Sequence, residues 1–138
     1  MMGGLLNSAY GWDIRLHADH VQIWGEENNV IKTFIRSSED YNQNEWNNVV
    51  FTCNNNIANI SVNGIFGTQI GYDYCDSSMF DITNIDGGGI FSIGSRYPDD
   101  TPILINNYFN GSIDKVKIFD TALTSDEILR LYRTNSID

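Results

Sequence analysis

Paired carboxylates are the residues of this sequence that come nearest to a catalytic set. Three of these pairs are Glu26-Glu27, Glu39-Asp40 and Asp126-Glu127. Glycoside hydrolysis needs two carboxyl groups that flank the same bond, one as acid and the other as nucleophile or base. Adjacent side chains of a strand point to opposite faces, and Asp126-Glu127 falls in a predicted helix cap. We therefore expect no glycosidase site in this chain.

The other reactive residue types also lack a constellation. His17 and His20 are the only imidazoles, and zinc would need a carboxylate or thiolate beside them. Their position next to a predicted turn favours exposed turn histidines. A nucleophile elbow of the G-x-S-x-G type is absent, and the run 86–89 lacks the Gly-Lys-Ser/Thr of a phosphate loop. We expect the protein not to be an enzyme.

A second group of residues is suited to binding. It combines aromatic rings, which contact apolar surfaces with one polar end, with the hard oxygen ligands that calcium prefers. The group comprises Tyr41, Asn42, Tyr97, Asp99 and Asp100. These residues form one site only if the loops 36–45 and 95–107 lie at the same end of the fold. The stretch 72–78 is equally acidic and aromatic and is a competing candidate.

Antiparallel strands are the elements that would position these loops. Short alternating apolar runs, separated by Asn, Gly, Asp and Ser, predict strands. We place them near 10–16, 20–25, 30–35, 47–53, 57–62, 65–70, 90–94 and 113–119. Asn54-Asn55-Asn56 and Asn63-Gly64 predict hairpin turns. Because successive strands reverse direction, 36–45, 63–64 and 95–107 should share one end, and 54–56 and 71–88 the other.

The apolar positions of these runs predict the core, and a single helix closes the chain. We expect the following side chains to be mostly buried: Trp46, Val49, Phe51, Ile60, Val62, Ile93, Val116 and Ile118. Thr124 and Glu127 form a capping box, with Leu123 and Ile128 as its hydrophobic staple. The predicted helix begins near Thr124 and turns Ile128, Leu131 and Tyr132 toward the sheets.

Length and charge limit the possible functions further. We expect residues 1–138 to form a single domain, since 138 residues suit one core. The formal charge of -10 would repel the phosphate backbone of nucleic acids. No run reaches the roughly 20 apolar residues that span a bilayer, so we expect no membrane insertion. The N-terminal residues lack the basic and apolar regions of a signal peptide, and we expect none in this chain.

The run FNGSIDKVKIFDTALTSDEILRLY (109–132) resembles the closing segment of laminin-G-like, concanavalin A-like domains. In that family an F-x-G-x-I-D-x-V-x-I strand leads into an A-L-[ST]-x-x-E-I helix. EWNNVVFT followed by ISVNG is similar to the family's W-x-x-V-a-x-T strand and the hairpin after it, and FSIGS to its l-x-I-G-x strand. The resemblance covers most of residues 10–132, but the family's opening strands have no counterpart before Tyr10.

The resemblance implies an all-β antiparallel sandwich, a jelly roll with one short C-terminal helix. It implies a non-catalytic module that binds a carbohydrate or another cell-surface ligand, outside the cell in its parent context. A structural or adhesion module, which contacts an extracellular protein or a second copy of itself, is the alternative, and a glycoside hydrolase-like enzyme is a third. In the related pentraxins the loop after the I-G strand holds calcium, which implies Asp99 and Asp100 as metal ligands. Missing opening strands would leave an open edge, so a homo-oligomer is expected.

Cys53 and Cys75 are the only two cysteines. The direction of the strands places both at the same end of the predicted sandwich, which permits a disulfide. The opposing interpretation is that Cys53 continues the buried face of Val49 and Phe51 as a small apolar residue, with Cys75 as a free thiol. Strand direction determines the end but not the distance between the cysteines, and both interpretations stay open.

Overall fold

The computed structural model describes residues 10–27, 30–66, 70–75, 93–94 and 108–135. The strands of this part of the chain are β1 (Tyr10–His17), β2 (His20–Glu27), β3 (Val30–Asp40), β4 (Val49–Asn54), β5 (Ile57–Val62), β6 (Ile65–Phe66) and β7 (Ile70–Asp73). They form two antiparallel sheets, ordered β1-β2-β3-β7 and β4-β5-β6. One helix, α1 (Ser125–Asn135), follows. The predicted all-β sandwich with a short C-terminal helix is confirmed.

Tight turns join the hairpins where the sequence predicts them. The β4–β5 turn places Asn55 and Asn56 at φ 50° and 63°, and the β5–β6 turn places Asn63 and Gly64 at 53° and 80°. Asn and Gly adopt positive φ at the lowest cost. A side chain at Gly64 would also meet Leu129 and Tyr132 of α1 at 3.1 Å. This turn is therefore where the helix packs on the smaller sheet.

The core lies between the two sheets. It is formed by the buried side chains of Val21, Ile23, Ile35, Ala58, Ile60, Val62 and Cys75, against which Tyr41, Val49, Phe51 and Cys53 pack. Ile23 is the partner of Ile35 across β2 and β3, so apolar pairs build the face of the larger sheet. Ile60 and Val62 are buried as predicted, whereas Val49 and Phe51 are half-buried.

A disulfide between Cys53 and Cys75 connects the two sheets. Cys53 lies on β4, and Cys75 follows β7 of the other sheet. The Cα atoms of the two cysteines are 6.0 Å apart, within the range that bridging requires. The Cys75 amide donates to the Asn56 carbonyl at 3.0 Å. The bridged alternative is therefore the one that the structure shows, and the free thiol at Cys75 is wrong.

The predicted strand 113–119 is wrong. Residues 112–119 have no regular secondary structure, and Val116 and Ile118, expected in the core, are 53% and 71% exposed. Lys115 also has a positive φ of 54°, which interrupts an extended run. Alternation marks an apolar face, but a strand also needs a neighbour for its backbone groups. No strand of the described residues pairs with this segment.

Trp46 and Ile93 are also exposed, contrary to expectation. Trp46 lies in a loop that the Asn47 side chain closes by donating to the carbonyls of Asn42 and Glu45, and this loop precedes β4. Ile93 and Gly94 lie in a bend, and residues 90–92 of the predicted strand 90–94 fall outside the described part of the chain. The predicted strand 65–70 is two separate pieces, the end of β6 at Phe66 and the start of β7 at Ile70.

The helix begins as the capping box predicts. The Thr124 amide donates to Glu127 Oε2 at 2.8 Å, and the Thr124 hydroxyl donates to the same oxygen at 2.7 Å. Ile128 is fully buried, while Leu131 and Tyr132 are half-buried. The hydrogen bond from the Thr124 backbone holds the pKa of Glu127 below its ordinary value of 4.5.

Replacing Thr124 with Ala is expected to lower the free energy of unfolding by about 1 kcal/mol, because without the cap an amide group of the first turn loses its partner. Because the pKa of Glu127 is lowered in the folded state, its contribution is present above the unfolded pKa and lost as pH falls through the folded pKa. Glu127→Gln should therefore flatten the acid side of the stability profile. Urea unfolding from pH 3 to 7 measures both effects, and an unchanged acid limb in Glu127→Gln would contradict this assignment.

Candidate functional site

The end of the sandwich that follows β3 brings two predicted loops together through amide side chains. The Asn42 amide donates to Asn47 Oδ1 at 2.9 Å, and Asn63 Nδ2 donates to the same oxygen at 3.1 Å. The Asn48 amide donates to Asn63 Oδ1 at 2.9 Å. The first half of the predicted loop 36–45 belongs to β3, but its second half and the Asn63-Gly64 turn share one end, as strand direction predicts. We call this end the rim, defined by residues 40–48 and 63–64.

Tyr41 and Asn42, the described members of the predicted ligand site, contribute to the structure of the rim. The Tyr41 hydroxyl donates to the Ala18 carbonyl at 2.7 Å, and the Tyr41 amide donates to the Asp19 carbonyl at 3.2 Å. Tyr41 thus holds the β1–β2 turn against the end of β3. The Asn42 side chain is exposed. Their role in binding stays a prediction.

The remaining predicted site residues, Tyr97, Asp99 and Asp100, lie outside the described residues. The two predicted calcium ligands are therefore not placed. Within the ranges that the structure does describe, no group of three His, Cys, Asp or Glu side chains could hold a metal ion. Of the competing stretch 72–78, Tyr74 is exposed and Cys75 is buried in the disulfide, and residues 76–78 are not described.

A different surface carries clustered aromatic and charged side chains. Alternation along β1 to β3 directs Val21, Ile23 and Ile35 into the core, so Asp13, Arg15, Trp24 and Phe34 take the opposite face of the larger sheet. Asp13 pairs with Trp24 across β1 and β2, and Trp24 with Phe34 across β2 and β3. We call this set of four side chains the outer-face row.

The outer-face row is held together by three contacts. Arg15 Nε and Nη2 donate to the two carboxylate oxygens of Asp13 at 2.7 and 2.6 Å. The Arg15 guanidinium lies 5.4 Å from the Trp24 ring centroid, within the range of a cation–π contact. The Trp24 and Phe34 rings meet edge to face, with centroids 5.3 Å apart. These contacts fix the orientation of an aromatic and an ionic group before any ligand arrives.

The row can offer both apolar and polar contacts to a ligand. The Asp13 and Arg15 side chains are 32% and 28% exposed, and the Trp24 and Phe34 residues are half-buried. Among the described residues, Asp13 accepts from two of the five N–H donors of Arg15, which leaves three donors for acceptors on a ligand. Hydrogen-bond donors and acceptors beside aromatic rings match a ligand that has hydroxyl groups next to an apolar face.

A histidine pair continues the same side of the sheet toward the β1–β2 turn. The His17 and His20 rings lie 5.2 Å apart. Gln22 Nε2 is 2.9 Å from His20 Nε2, and His20 Nδ1 is 2.8 Å from Asp19 Oδ1. With Gln22 donating, His20 Nδ1 carries the proton and donates to Asp19. This hydrogen bond holds the pKa of Asp19 below its ordinary value.

The prediction of exposed turn histidines is right for His17 only. His17 is exposed, but His20 is half-buried, and Asp19 and Gln22 lie within hydrogen-bonding distance of its two ring nitrogens. The sequence alone does not predict the outer-face row, because its four residues lie on three strands and only the strand register brings them together. Its signal is present in the sequence: Asp13 and Arg15 alternate with Trp12, Ile14 and Leu16, and Trp24 alternates with Ile23.

The comparisons with known proteins agree with the fold. The model of the concanavalin A-like lectin/glucanases superfamily (Laminin_G_3) matches residues 3–129. The crystal structure of an S-layer domain-containing protein from Clostridium thermocellum has a TM-score of 0.52 and 19% sequence identity to this chain, covering 96% of this chain and 68% of that one. At that identity the likeness concerns the fold. A search of curated proteins finds none that matches.

The described part of the chain contains no helix long and apolar enough to cross a bilayer. The family match extends over most of the sequence, and the two antiparallel sheets with a C-terminal helix are the architecture that the resemblance implies. The chain belongs to the concanavalin A-like lectin/glucanases superfamily.

Proposed function

We propose that the protein is a non-catalytic module that binds a carbohydrate through the outer-face row. The observation that carries this proposal is the row itself: Arg15 is fixed between Asp13 and Trp24, and Trp24 is fixed against Phe34. A binding surface prepared in this way loses little side-chain entropy when a ligand arrives. The membership in a superfamily of lectins and glucanases is consistent with a sugar as the ligand.

The contacts suggest how a sugar would be held. The Arg15 guanidinium covers one side of the Trp24 ring, so a sugar would contact the accessible edge of the Trp24–Phe34 pair. The free N–H groups of Arg15 would donate to sugar oxygens, and the Asp13 carboxylate would accept from sugar hydroxyls. The proposal involves binding only, with no nucleophile or general acid.

The second surface on which a glycan is proposed to bind is the rim, through Tyr41 and Asn42. The sequence adds Tyr97, Asp99 and Asp100 to this site, and these three lie outside the described part of the chain. Calcium at Asp99 and Asp100 belongs to this version of the proposal. The two versions differ in the surface used and in their dependence on calcium. An experiment that compares the two surfaces, with calcium and with a chelator, therefore distinguishes them.

Trp24→Ala is expected to weaken glycan binding at least about tenfold, because interface tryptophans commonly contribute 2 kcal/mol or more. Trp46→Ala is the matched control: the same substitution is made at an exposed tryptophan of the rim. Arg15→Gln, which removes the charge and keeps the length, is a second variant that disturbs the sheet less. A glycan array with the wild type, followed by titration of the best ligand against each variant, measures the effect.

The outcomes separate the two surfaces. Loss in Trp24→Ala and Arg15→Gln, without calcium dependence, supports the outer-face row. Loss in Trp46→Ala together with calcium dependence would transfer the site to the rim. If no oligosaccharide binds the wild type in either condition, the carbohydrate proposal is wrong.

A structural or adhesion module is the second function that a specific observation favours. Several large apolar side chains are exposed among the described residues, including Ile14, Leu16, Trp46, Val116 and Ile118. Ile14 and Leu16 share one face of β1, and exposed apolar side chains that lie together commonly mark protein contacts. We propose that the chain forms a homo-oligomer, or contacts an extracellular protein, through such surfaces. Sedimentation over a wide concentration range tests the homo-oligomer, and a monomer throughout would contradict it.

A further inference from the structure

β1 combines an open edge with partly exposed apolar side chains on its core face. It is the terminal strand of the β1-β2-β3-β7 sheet, and no described strand pairs with its outer edge. Ile14 and Leu16 pair with the fully buried Ile23 and Val21 on the core side of the sheet. They are nevertheless 43% and 40% exposed. Among the described residues the core face therefore continues onto β1, where it is only partly covered.

The sequence of β1 is complementary to itself in an antiparallel arrangement. If two copies pair about a two-fold axis through Ile14, each Ile14 lies opposite the other Ile14. Asp13 of each copy then lies opposite Arg15 of the other copy, which places two opposite-charge pairs on the outer face. Directly opposite residues of antiparallel strands are the ones that interact most strongly.

We propose that two copies of this protein associate edge to edge through β1, in the register centred on Ile14. This inference rests on the proposed self-association and names its surface and partner. The interface is isologous, so the same residues serve both copies. The pairing gives the outer backbone groups of both β1 strands hydrogen-bond partners, and the apolar side chains meet across the seam.

The charges of the outer face favour this register over its neighbours. Arg15 holds its own Asp13 through Nε and Nη2, and its remaining donors can reach the Asp13 of the second copy. Moving the axis by one residue to Arg15 would place the two guanidinium groups opposite each other, which is unfavourable. The four charges of the Ile14-centred register alternate in sign across the seam.

The dimer would also join the two outer-face rows. With β1 paired to β1, the two four-stranded sheets form one continuous sheet, and both rows lie on the same face at its centre. A polymer with repeating units could then contact both rows at once, which raises its apparent affinity without new contacts within each copy.

The test uses charge reversal in single variants and in their mixture. Asp13→Arg places Arg opposite Arg at both seam positions, and Arg15→Asp places Asp opposite Asp. Each variant alone is therefore expected to dimerise at least about tenfold more weakly than the wild type. Mixed in equal amounts, one variant presents two Arg and the other two Asp, so the heterodimer is expected to form with near wild-type affinity. Sedimentation equilibrium at several concentrations, with one variant fluorescently labelled, measures both.

The mixture distinguishes a contact between copies from the Asp13–Arg15 contact within one copy, because no internal pair is restored in either variant. Asp120→Arg is the matched control, since it makes the same charge change at an exposed site and should leave dimerisation unchanged. Circular dichroism verifies that each variant is folded. Recovery in the mixture supports the inference. If the wild type dimerises and neither charge reversal weakens the dimer, the β1 interface is wrong but self-association stands. If the wild type stays monomeric, the β1 interface and the proposed self-association are both wrong.

Discussion

Replacing Ile35 with Ala is expected to lower the free energy of unfolding by about 2 to 5 kcal/mol, because a large buried side chain is lost and a cavity remains. Ile35 is fully buried and lies within β3, the strand that pairs with both β2 and β7. Its neighbours on the core face include Ile23 across the strand pair. A site enclosed by two strands and the facing sheet has little freedom to collapse into the cavity.

Ile118→Ala is the matched control, because the same atoms are removed from a side chain that is 71% exposed. Its expected cost is below about 0.5 kcal/mol, as for most surface substitutions. Urea unfolding of both variants, followed by tryptophan fluorescence, gives the two free energies. Equal losses would show that residues 113–119 are covered in solution. That result would support the strand that the sequence predicts there and contradict the exposed segment.

Local patterns were sufficient to predict most strands of the two sheets. The β2–β3 and β4–β5 runs alternate clearly, and Asn63-Gly64 provides a turn with the required positive φ. The capping box locates the start of the helix to within a residue of Ser125. These signals depend on neighbours in sequence, which is why they can be read without a structure.

The exposure of Val116 and Ile118 could not be predicted in the same way. Alternation indicates which side chains share a face, but it does not indicate whether another sheet covers that face. The same limit applies to Ile14 and Leu16, whose partners Ile23 and Val21 are buried while they are not. Burial of an edge strand depends on long-range contacts that sequence periodicity does not contain.

The candidate site was predicted only in part. Strand direction correctly brought the Asn42 and Asn63 loops to one end. It did not show that the Tyr41 hydroxyl donates a hydrogen bond to the Ala18 carbonyl, because this contact joins residues that are 23 positions apart in the sequence. The outer-face row depends on the register of three strands, and register follows from turn geometry and burial together.

Removing the Cys53–Cys75 disulfide is expected to lower the free energy of unfolding by about 3 kcal/mol. The bridge closes a loop with a sequence separation of 22, and a cross-link of this span restricts the unfolded chain by about that amount. Its position gives it a further structural role. Cys53 belongs to the smaller sheet, and Cys75 follows the last strand of the larger one.

The double variant Cys53→Ala/Cys75→Ala separates the bridge from the packing of the two residues. Cys75 is fully buried, so Ala is preferred to Ser, whose hydroxyl would be buried without a certain partner. Urea unfolding is measured for the oxidised protein, the reduced protein and the double variant. Alkylation of the unfolded protein should add no label before reduction and two labels after it.

The difference between the three forms identifies the origin of the stabilisation. The free energy of unfolding of the oxidised protein should exceed that of the reduced protein and that of the double variant by a similar amount, because both of these forms lack the cross-link. The Cys75 amide donates a hydrogen bond to the Asn56 carbonyl, and Ile57 forms an antiparallel β-bridge with Tyr74. These contacts hold the sheets together without the sulfurs, so the reduced protein should still fold to the same structure. If the reduced protein were as stable as the oxidised one, the backbone contacts alone would join the sheets, and the loop-closure argument would be wrong here.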